Sequence, residues 1–320
     1  MKDSYGREIN YMRISVTDRC NLRCKYCMPA EGIKKVSREE ILREDEILKV
    51  CKAAVSIGID RFKITGGEPL VRGSCIRLIR NIKELPGVRE VTMTTNGQIL
   101  AEHIEELAEM GIDGINISLD TLDEAKYREI TRLGDLDRTL DAIDMSVKAG
   151  IKTKINCLVH RGFNEDGITG LAEFAMDKGI DARFIELMPV GFADEDKFYS
   201  SDEVMEILKE AYPDIEADDG VHGNGPAVYY RVPGRDGSIG LIRSIRGKFC
   251  DGCNRIRLTS MGFVKPCLCY DEGINIRPYI EKSEAELAEV LKIVIENKPK
   301  EHHFEDITKV DHHAMSEIGG

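Results

Sequence analysis

The chain has 320 residues, is 42% hydrophobic and 32% charged, and carries a formal net charge of −12. That composition fits a globular protein and argues against a generic nucleic-acid-binding surface, while leaving room for a local basic pocket for one small anion. No apolar run approaches the roughly 20 residues of a membrane-spanning helix, and the start, MKDSYGREINY, lacks the apolar stretch of a signal peptide. The expected setting is therefore the reducing cytoplasm, with no membrane association and with the ten cysteines as thiols rather than disulfides.

In chain order, residues 11–16 read as a strand. A loop follows that carries Cys20, Cys24 and Cys27, spaced C-x3-C-x2-C, with Tyr26 before the last. Ser37 and Glu40 form an S-x-x-E pattern that predicts a helix start, with Ile41, Leu48, Cys51 and Val55 on its apolar face. Strand-like runs follow at 62–65, 91–95, 115–119, 154–159 and 183–188, with a helical pattern in each interval and a second S/T-x-x-E pattern at Thr121 and Glu124. Six strands alternating with helices imply a parallel sheet, as an open barrel or a doubly wound sheet. GGEP (66–69), TTNG (94–97), SLD (118–120) and ELMPVG (186–191) all fall at or beyond C-terminal strand ends, where barrel sites are built. The expectation is an incomplete (β/α)6 barrel over residues 1–212.

Beyond Gly191 the pattern changes. A helix over 201–211 is opened by Ser200 with Glu203, and residues 213–240, rich in Gly, Pro and Asp, read as a connection. Residues 213–320 form a smaller α+β region with a helix near 285–296 and a polar tail. His302, His303, His312 and His313 lie in that tail and read as solvated. Cys51, Cys75 and Cys157 fall in helical or strand patterns and read as core thiols.

Three close thiols are suited to a metal centre. A structural zinc site or an ordinary cubane takes four ligands, so three leave one metal corner open. Cys250, Cys253 and Cys267 repeat the shortage near the other end as C-x2-C-x13-C. For the first set the competing reading is a zinc knuckle completed from a distance. For the second it is a zinc ribbon with Cys269 as fourth ligand, although Cys269 stands only two residues from Cys267. Arg13, within the apolar strand YMRIS, should face a polar cavity, because burying an unpaired charge is costly.

TDRCNLRCKYCMP (17–29) followed by KITGGEPLVR (63–72) resembles the radical S-adenosylmethionine (SAM) superfamily. The resemblance implies a [4Fe–4S] cluster on Cys20, Cys24 and Cys27, SAM on its open iron, and cleavage of SAM to methionine and a 5′-deoxyadenosyl radical. FCDGCNRIRLTSMGFVKPCL (249–268) and the ending MSEIGG narrow the likeness to the GTP 3',8-cyclase family of molybdenum cofactor biosynthesis, from residue 11 to 320. That family implies a second [4Fe–4S] cluster on Cys250, Cys253 and Cys267, whose open iron takes the guanine of GTP. It implies GTP contacts from Arg13, Arg61, Lys63, Thr94, Lys154, Arg183, Arg255 and Arg257, and SAM contacts from Tyr26, Gly67, Asn96, Ser118 and Met188. It places Arg255, Arg257 and a tail ending in Gly319 and Gly320 at the reacting centre. Lys63 departs from the arginine often found there: it keeps the charge and loses the bidentate fork. The implied partners are GTP, a reductant or electron-transfer protein, a second copy of the chain, and, through the product, cyclic pyranopterin monophosphate synthase. A peptide-modifying radical enzyme would call for more C-terminal cysteines, and an electron-transfer protein would give no reason for GGEP or the basic strand residues.

Overall fold

A computed structural model describes every residue except 35, 246, 305, 307–309, 312 and 320. The six expected strands are present as β1 (Tyr11–Ser15), β2 (Arg61–Thr65), β3 (Glu90–Thr95), β4 (Gly114–Ser118), β5 (Thr153–Val159) and β6 (Asp181–Glu186). They pair in parallel in the order 1-2-3-4-5-6. The helices between them are α1 (Glu44–Ser56), α2 (Cys75–Lys83), α3 (Ile104–Glu109), α4 (Glu124–Thr131), α5 (Leu136–Lys148) and α6 (Ile168–Asp177).

Alternation along each strand sets the layers. In β1, Met12 and Ile14 join the apolar core with Ile47, Val50 and Leu78 of the helices, while Tyr11 and Arg13 line an interior cavity. Phe62 and Ile64 alternate with Arg61 and Lys63 on β2 in the same way. The hydrophobic residues therefore hold the outer layer, and the polar ones are left to the inside of the curve.

The chain after β6 extends this sheet at both edges. α7 (Ser201–Ala211) follows, then β7 (Glu216–Ala217), β8 (Val228–Arg231) and β9 (Ile239–Ile242). β9 adds in parallel to β6, with β8 and β7 antiparallel beyond it. β10 (Arg255–Leu258) adds in parallel to β1 and continues through β11 (Phe263–Lys265) and β12 (Ile274–Asn275). α8 (Arg277–Ile280), α9 (Glu284–Glu296) and α10 (Met315–Ile318) complete the fold, with α9 packed on α1. Arg255 of β10 and Ile242 of β9, with six strands between them, line one cavity, so the sheet curls into an open barrel. No helix among the described residues is long and apolar enough to cross a membrane.

Three local expectations change. α1 begins at Glu44, and its box is Arg43 with Glu46, whose carboxylate accepts from the Arg43 N–H at 2.6 Å. Ser37 and Glu40 close a turn instead, and Ile41 lies outside the helix. The cause is long-range: the Leu42 N–H is taken by Ser260 O at 2.8 Å, which holds the chain extended toward β10. α4 is capped by Asp123, which accepts from Lys126 N–H at 2.9 Å, rather than by Thr121, whose hydroxyl accepts from Asp123 N–H; the ionised carboxylate is the stronger acceptor. Residues 213–240 are more than a connection, since they supply β7, β8 and the start of β9. The Ser200–Glu203 box holds as expected, with both reciprocal bonds formed.

Candidate functional site: two thiol sets around a basic cavity

The first thiol loop follows β1 and is fastened from three sides. Gly67 N–H donates to Thr17 O and Glu68 N–H to Arg19 O, both at 2.8 Å. A Cβ on Gly67 would stand 2.4 Å from Arg19 O, so only glycine lets the GGEP turn lie this close to the cysteine loop. Asn96 Nδ2 donates to Asn21 Oδ1 at 2.8 Å and approaches Cys20 Sγ at 3.7 Å, and Tyr26 O–H donates to Asp120 Oδ2 at 2.9 Å. Arg132 closes the third side. It holds a left-handed φ of 63°, and its guanidinium donates to the carbonyls of Arg23 (2.7 Å) and Met28 (2.9 Å) on either side of the loop.

Tyr26, Gly67 and Asn96 thus meet at this loop. Ser118 sits at the end of β4, in register with Asn156 of β5. The sequence reading missed Glu68, Asp120 and Arg132. Glu68 is fully buried, and burial lifts its carboxyl to about 7 although it accepts from Asn96 N–H, Thr95 O–H and Leu70 N–H. Burial likewise lifts Asp120 to about 6. The Cys20 thiol is raised to about 11 by burial, and Cys24 and Cys27 lie higher still for the same reason.

The second thiol set owes its spacing to a hairpin. Cys250 and Cys253 flank a short 3-10 turn just before β10, and Cys267 follows β11. The β10–β11 register pairs Arg257 with Lys265, so it carries Cys267 back to the level of Arg255, beside Cys253. Cys269 points elsewhere, into an apolar cluster with Val190, Leu268, Phe304, Val310 and Ile318. All three second-set thiols line a cavity of about 440 Å³.

All eight residues expected to contact GTP, and Met188, line that cavity. Among the described residues its wall carries ten lysines and arginines against two carboxylates, Glu90 and Asp113. An acidic protein therefore encloses a strongly basic interior. The strand register builds this as rungs. Arg257, Arg13 and Lys63 stand side by side on β10, β1 and β2, with Arg255, Tyr11 and Arg61 one rung below. Burial, then repulsion from neighbouring cations, depresses the upper rung: Arg257 is lowered to about 9, Lys63 lies well below its usual value and Arg13 is lowered too. Arg183 has Nε and Nη2 buried without a hydrogen-bond partner. Such a crowd of desolvated cations is costly unless an anion fills it.

Lys154 is already engaged. Its ammonium meets Asp181, His222 O and the Tyr229 hydroxyl, and the His222 ring stacks on Tyr229 with centroids 3.9 Å apart. The sequence reading also missed Asn116 and Asn156, and the period-2 rule could have found both. Asn116 stands two before Ser118, and Asn156 two after Lys154. His302 is a correction: it is 3% exposed and lines the cavity rather than facing solvent. Its burial follows from the tail folding over the second thiol set, where His302 N–H donates to Cys250 Sγ at 3.4 Å. His303 is partly buried; His313 is exposed as expected, with Nδ1–H donating to Asp311 Oδ1 at 2.8 Å; His312 lies outside the described residues.

The tail links the two halves. Arg257 Nη1 donates to Gly319 O at 2.7 Å. Gly319 has φ +87°, and a Cβ there would lie 2.8 Å from Ser15 Cβ and 3.4 Å from Thr65 Cγ2, at the C-terminal ends of β1 and β2. Gly320 lies outside the described residues.

Both thiol sets fit a multi-iron cluster better than one ion. A tetrahedral zinc site, with Zn–S about 2.3 Å, brings its sulfurs to about 3.8 Å of one another. Among the described residues, the only group of three or more Cys, His, Asp or Glu with ligand atoms all within 4.8 Å is Asp271, Asp311 and His313. Neither thiol set is drawn that tight, as suits the corners of a cubane. The acidic trio already contains the Lys265 ammonium, paired to Asp311.

A family model for the Radical SAM superfamily matches residues 14–175, and one for Molybdenum Cofactor Synthesis C matches residues 180–304. The chain is 44% identical over 325 residues to a GTP 3',8-cyclase of Alkaliphilus oremlandii, covering 100% of both chains. It is 40% identical over 331 residues to one of Listeria monocytogenes, covering 100% of this chain and 99% of the relative. In structure it is similar to Streptococcus suis SuiB bound to S-adenosylmethionine, with a TM-score of 0.67 and 18% identity over 89% of this chain and 66% of SuiB. That likeness concerns the fold alone.

Proposed function

This chain belongs to the radical SAM superfamily and, within it, to the GTP 3',8-cyclase family, and we propose on that footing that it is a lyase converting GTP to (8S)-3',8-cyclo-7,8-dihydroguanosine 5'-triphosphate for molybdenum cofactor biosynthesis. The observation that carries this reading is the basic cavity in which the second thiol set meets the Arg257–Arg13–Lys63 rung. Cys20, Cys24 and Cys27 would hold a [4Fe–4S] cluster that, once reduced and with SAM bound, would supply a 5′-deoxyadenosyl radical. Hydrogen from ribose carbon 3′ of GTP would pass to that radical, giving 5′-deoxyadenosine; the carbon radical would then add to carbon 8 of the guanine, and one electron from the reductant with one proton would complete the 7,8-dihydro product.

The chain's own residues bind and orient. Tyr26, Gly67, Asn96, Ser118 and Met188 hold SAM. Gly67 does so through backbone, which its missing side chain leaves accessible. Cys250, Cys253 and Cys267 hold the second cluster over the base. Arg13, Arg61, Lys63, Thr94, Lys154, Arg183, Arg255 and Arg257 take the rest of GTP, chiefly its phosphates, which supply the negative charge this crowded wall lacks. Arg255, Arg257 and the Gly319–Gly320 tail shape the reacting centre, a reading supported by the Arg257 Nη1 bond to Gly319 O. Hydrogen-atom transfer calls for no general base. That agrees with a cavity whose histidines, His222 and His302, are engaged in stacking and in the tail fold.

The reading extends to two regions, 1–212 for SAM and 213–320 for the second cluster and tail. It extends also to a cytoplasmic homodimer served by a reductant or electron-transfer protein and handing its product to cyclic pyranopterin monophosphate synthase. The cytoplasm is supported by ten cysteines that are all free thiols, two sets of them placed to hold redox-sensitive clusters. The test is anaerobic: reconstitute both clusters, add SAM, a reductant and GTP or ATP singly, and measure 5′-deoxyadenosine and cyclised nucleotide. GTP-dependent product is expected; its absence with both clusters loaded sinks the reading.

A further inference from the structure

Residues 298–302 form a strap across the second thiol set. Lys298 is 3% exposed. Its ammonium donates to Arg255 O at 2.9 Å and to Pro266 O at 2.5 Å. Pro266 directly precedes Cys267, and Arg255 stands two residues after Cys253, so one ammonium ties together the two chain ends that carry these thiols. Arg7, itself gripped by Asp3 at 2.6 Å, fastens the rest: it donates to Cys250 O (2.9 Å), Lys300 O (2.8 Å) and Pro299 O (2.7 Å). Every thiol of the set is thus reached from the strap, Cys250 through His302 N–H and Arg7, Cys253 and Cys267 through Lys298.

Among the described residues no carboxylate forms an ion pair with Lys298. A buried ammonium needs a compensating negative charge, and the thiolates of a loaded centre are the charge at hand. The first thiol loop has nothing equivalent. Arg132 and Arg23 grip its backbone carbonyls, no lysine among the described residues ties its thiol-bearing segments together, and beside the Arg23 guanidinium the ionisable groups nearest its thiols are the buried acids Glu68 and Asp120.

We propose that Lys298 is the positioning residue of the second metal centre: it sets the separation of Cys253 and Cys267, and its positive charge raises the reduction potential of the cluster they hold. This rests on the two-cluster reading above. A nearby cation favours the more negative, reduced state, as charge and hydrogen bonds to sulfur do generally.

The experiment uses the full-length chain carrying C20S, C24S and C27S, which keeps only the second set. Iron content and an EPR-monitored potentiometric titration are measured after anaerobic reconstitution, for this parent and for added K298M, K298Q and K298R. The parent should hold about four irons per chain; a parent without iron overturns the two-cluster reading itself. K298M should shift the midpoint to more negative potential, with K298R closer to the parent. K298Q keeps donors to both carbonyls but not the charge, so it serves if K298M does not fold, and the same negative shift is expected. A parent that holds its cluster beside K298M and K298Q at unchanged potential overturns the role of Lys298. So does a K298R displaced as far as the neutral variants.

Discussion

The two thiol sets share a missing fourth ligand and differ in almost everything around them. The first has two buried acids beside it, Glu68 and Asp120, against one guanidinium, Arg23, and its thiols are pushed up by burial first and then by those carboxylates. The second lies among cations. Burial pushes Cys253 up as well, but Arg255 and Lys298 outweigh it and bring the thiol to about 7. One site is therefore built to accept a positively charged cofactor beside its metal, the other to accept an anion. SAM is a sulfonium and GTP a polyanion, so the electrostatics divide the two ligands as the motifs do.

The sharpest way to break this comparison is to remove one thiol from each side. C24S is expected to abolish 5′-deoxyadenosine formation altogether. C253S is expected to abolish cyclised product while leaving the first cluster loaded, read as roughly half the iron per chain. Loss of nearly all the iron in either single variant would contradict two independent centres. Next in size is the anion side. R183M removes a guanidinium with two buried, unpartnered nitrogens. At about 1.5–3 kcal/mol for a charge-assisted hydrogen bond, the Kd for GTP should rise about 10- to 150-fold. SAM binding should be unchanged, and calorimetry with each ligand checks both halves.

The tail tests whether the two sides are joined. G319A places a Cβ 2.8 Å from Ser15 and forces a left-handed φ, at a cost of about 1–2 kcal/mol. Turnover should fall about 5- to 30-fold with little change in Tm; unchanged turnover would detach the tail from catalysis. The smallest effect is on the acidic side. Glu68 has its folded pKa raised from 4.5 to about 7, so its contribution to stability is fully present below about 4.5 and is lost as pH rises through about 7. In the metal-free protein, the Tm of the parent relative to E68Q should therefore rise as pH is lowered from about 8 to about 5, by on the order of 5 °C. A pH-independent difference would mean that Glu68 is ionised throughout.

The barrel half was legible because its signals are local. The strands alternate outward apolar with inward polar residues, so Arg13 within YMRIS declared the cavity from its own strand, and the family likeness added Lys63 and Arg183, which line it too. The paired cysteine sets were legible because a β10–β11 hairpin turns sequence spacing directly into proximity. What escaped depends on distant partners. The start of α1 is set by Ser260, more than 200 residues away, and Arg7 acts on Cys250 and Pro299. The edge strands β7 and β8 are short and lie in Gly- and Pro-rich chain, which gave no periodicity to read. His302 and Lys298 look like solvated polar residues until the strap buries them.

The central claim is that a radical generated at the first thiol set acts on a nucleotide held at the second. GTP deuterated at ribose carbon 3′ tests it most directly, in a single anaerobic turnover with both clusters loaded and mass analysis of the 5′-deoxyadenosine. The account predicts one deuterium in the 5′-deoxyadenosine for each cyclised nucleotide formed. Unlabelled 5′-deoxyadenosine alongside cyclised product would contradict it.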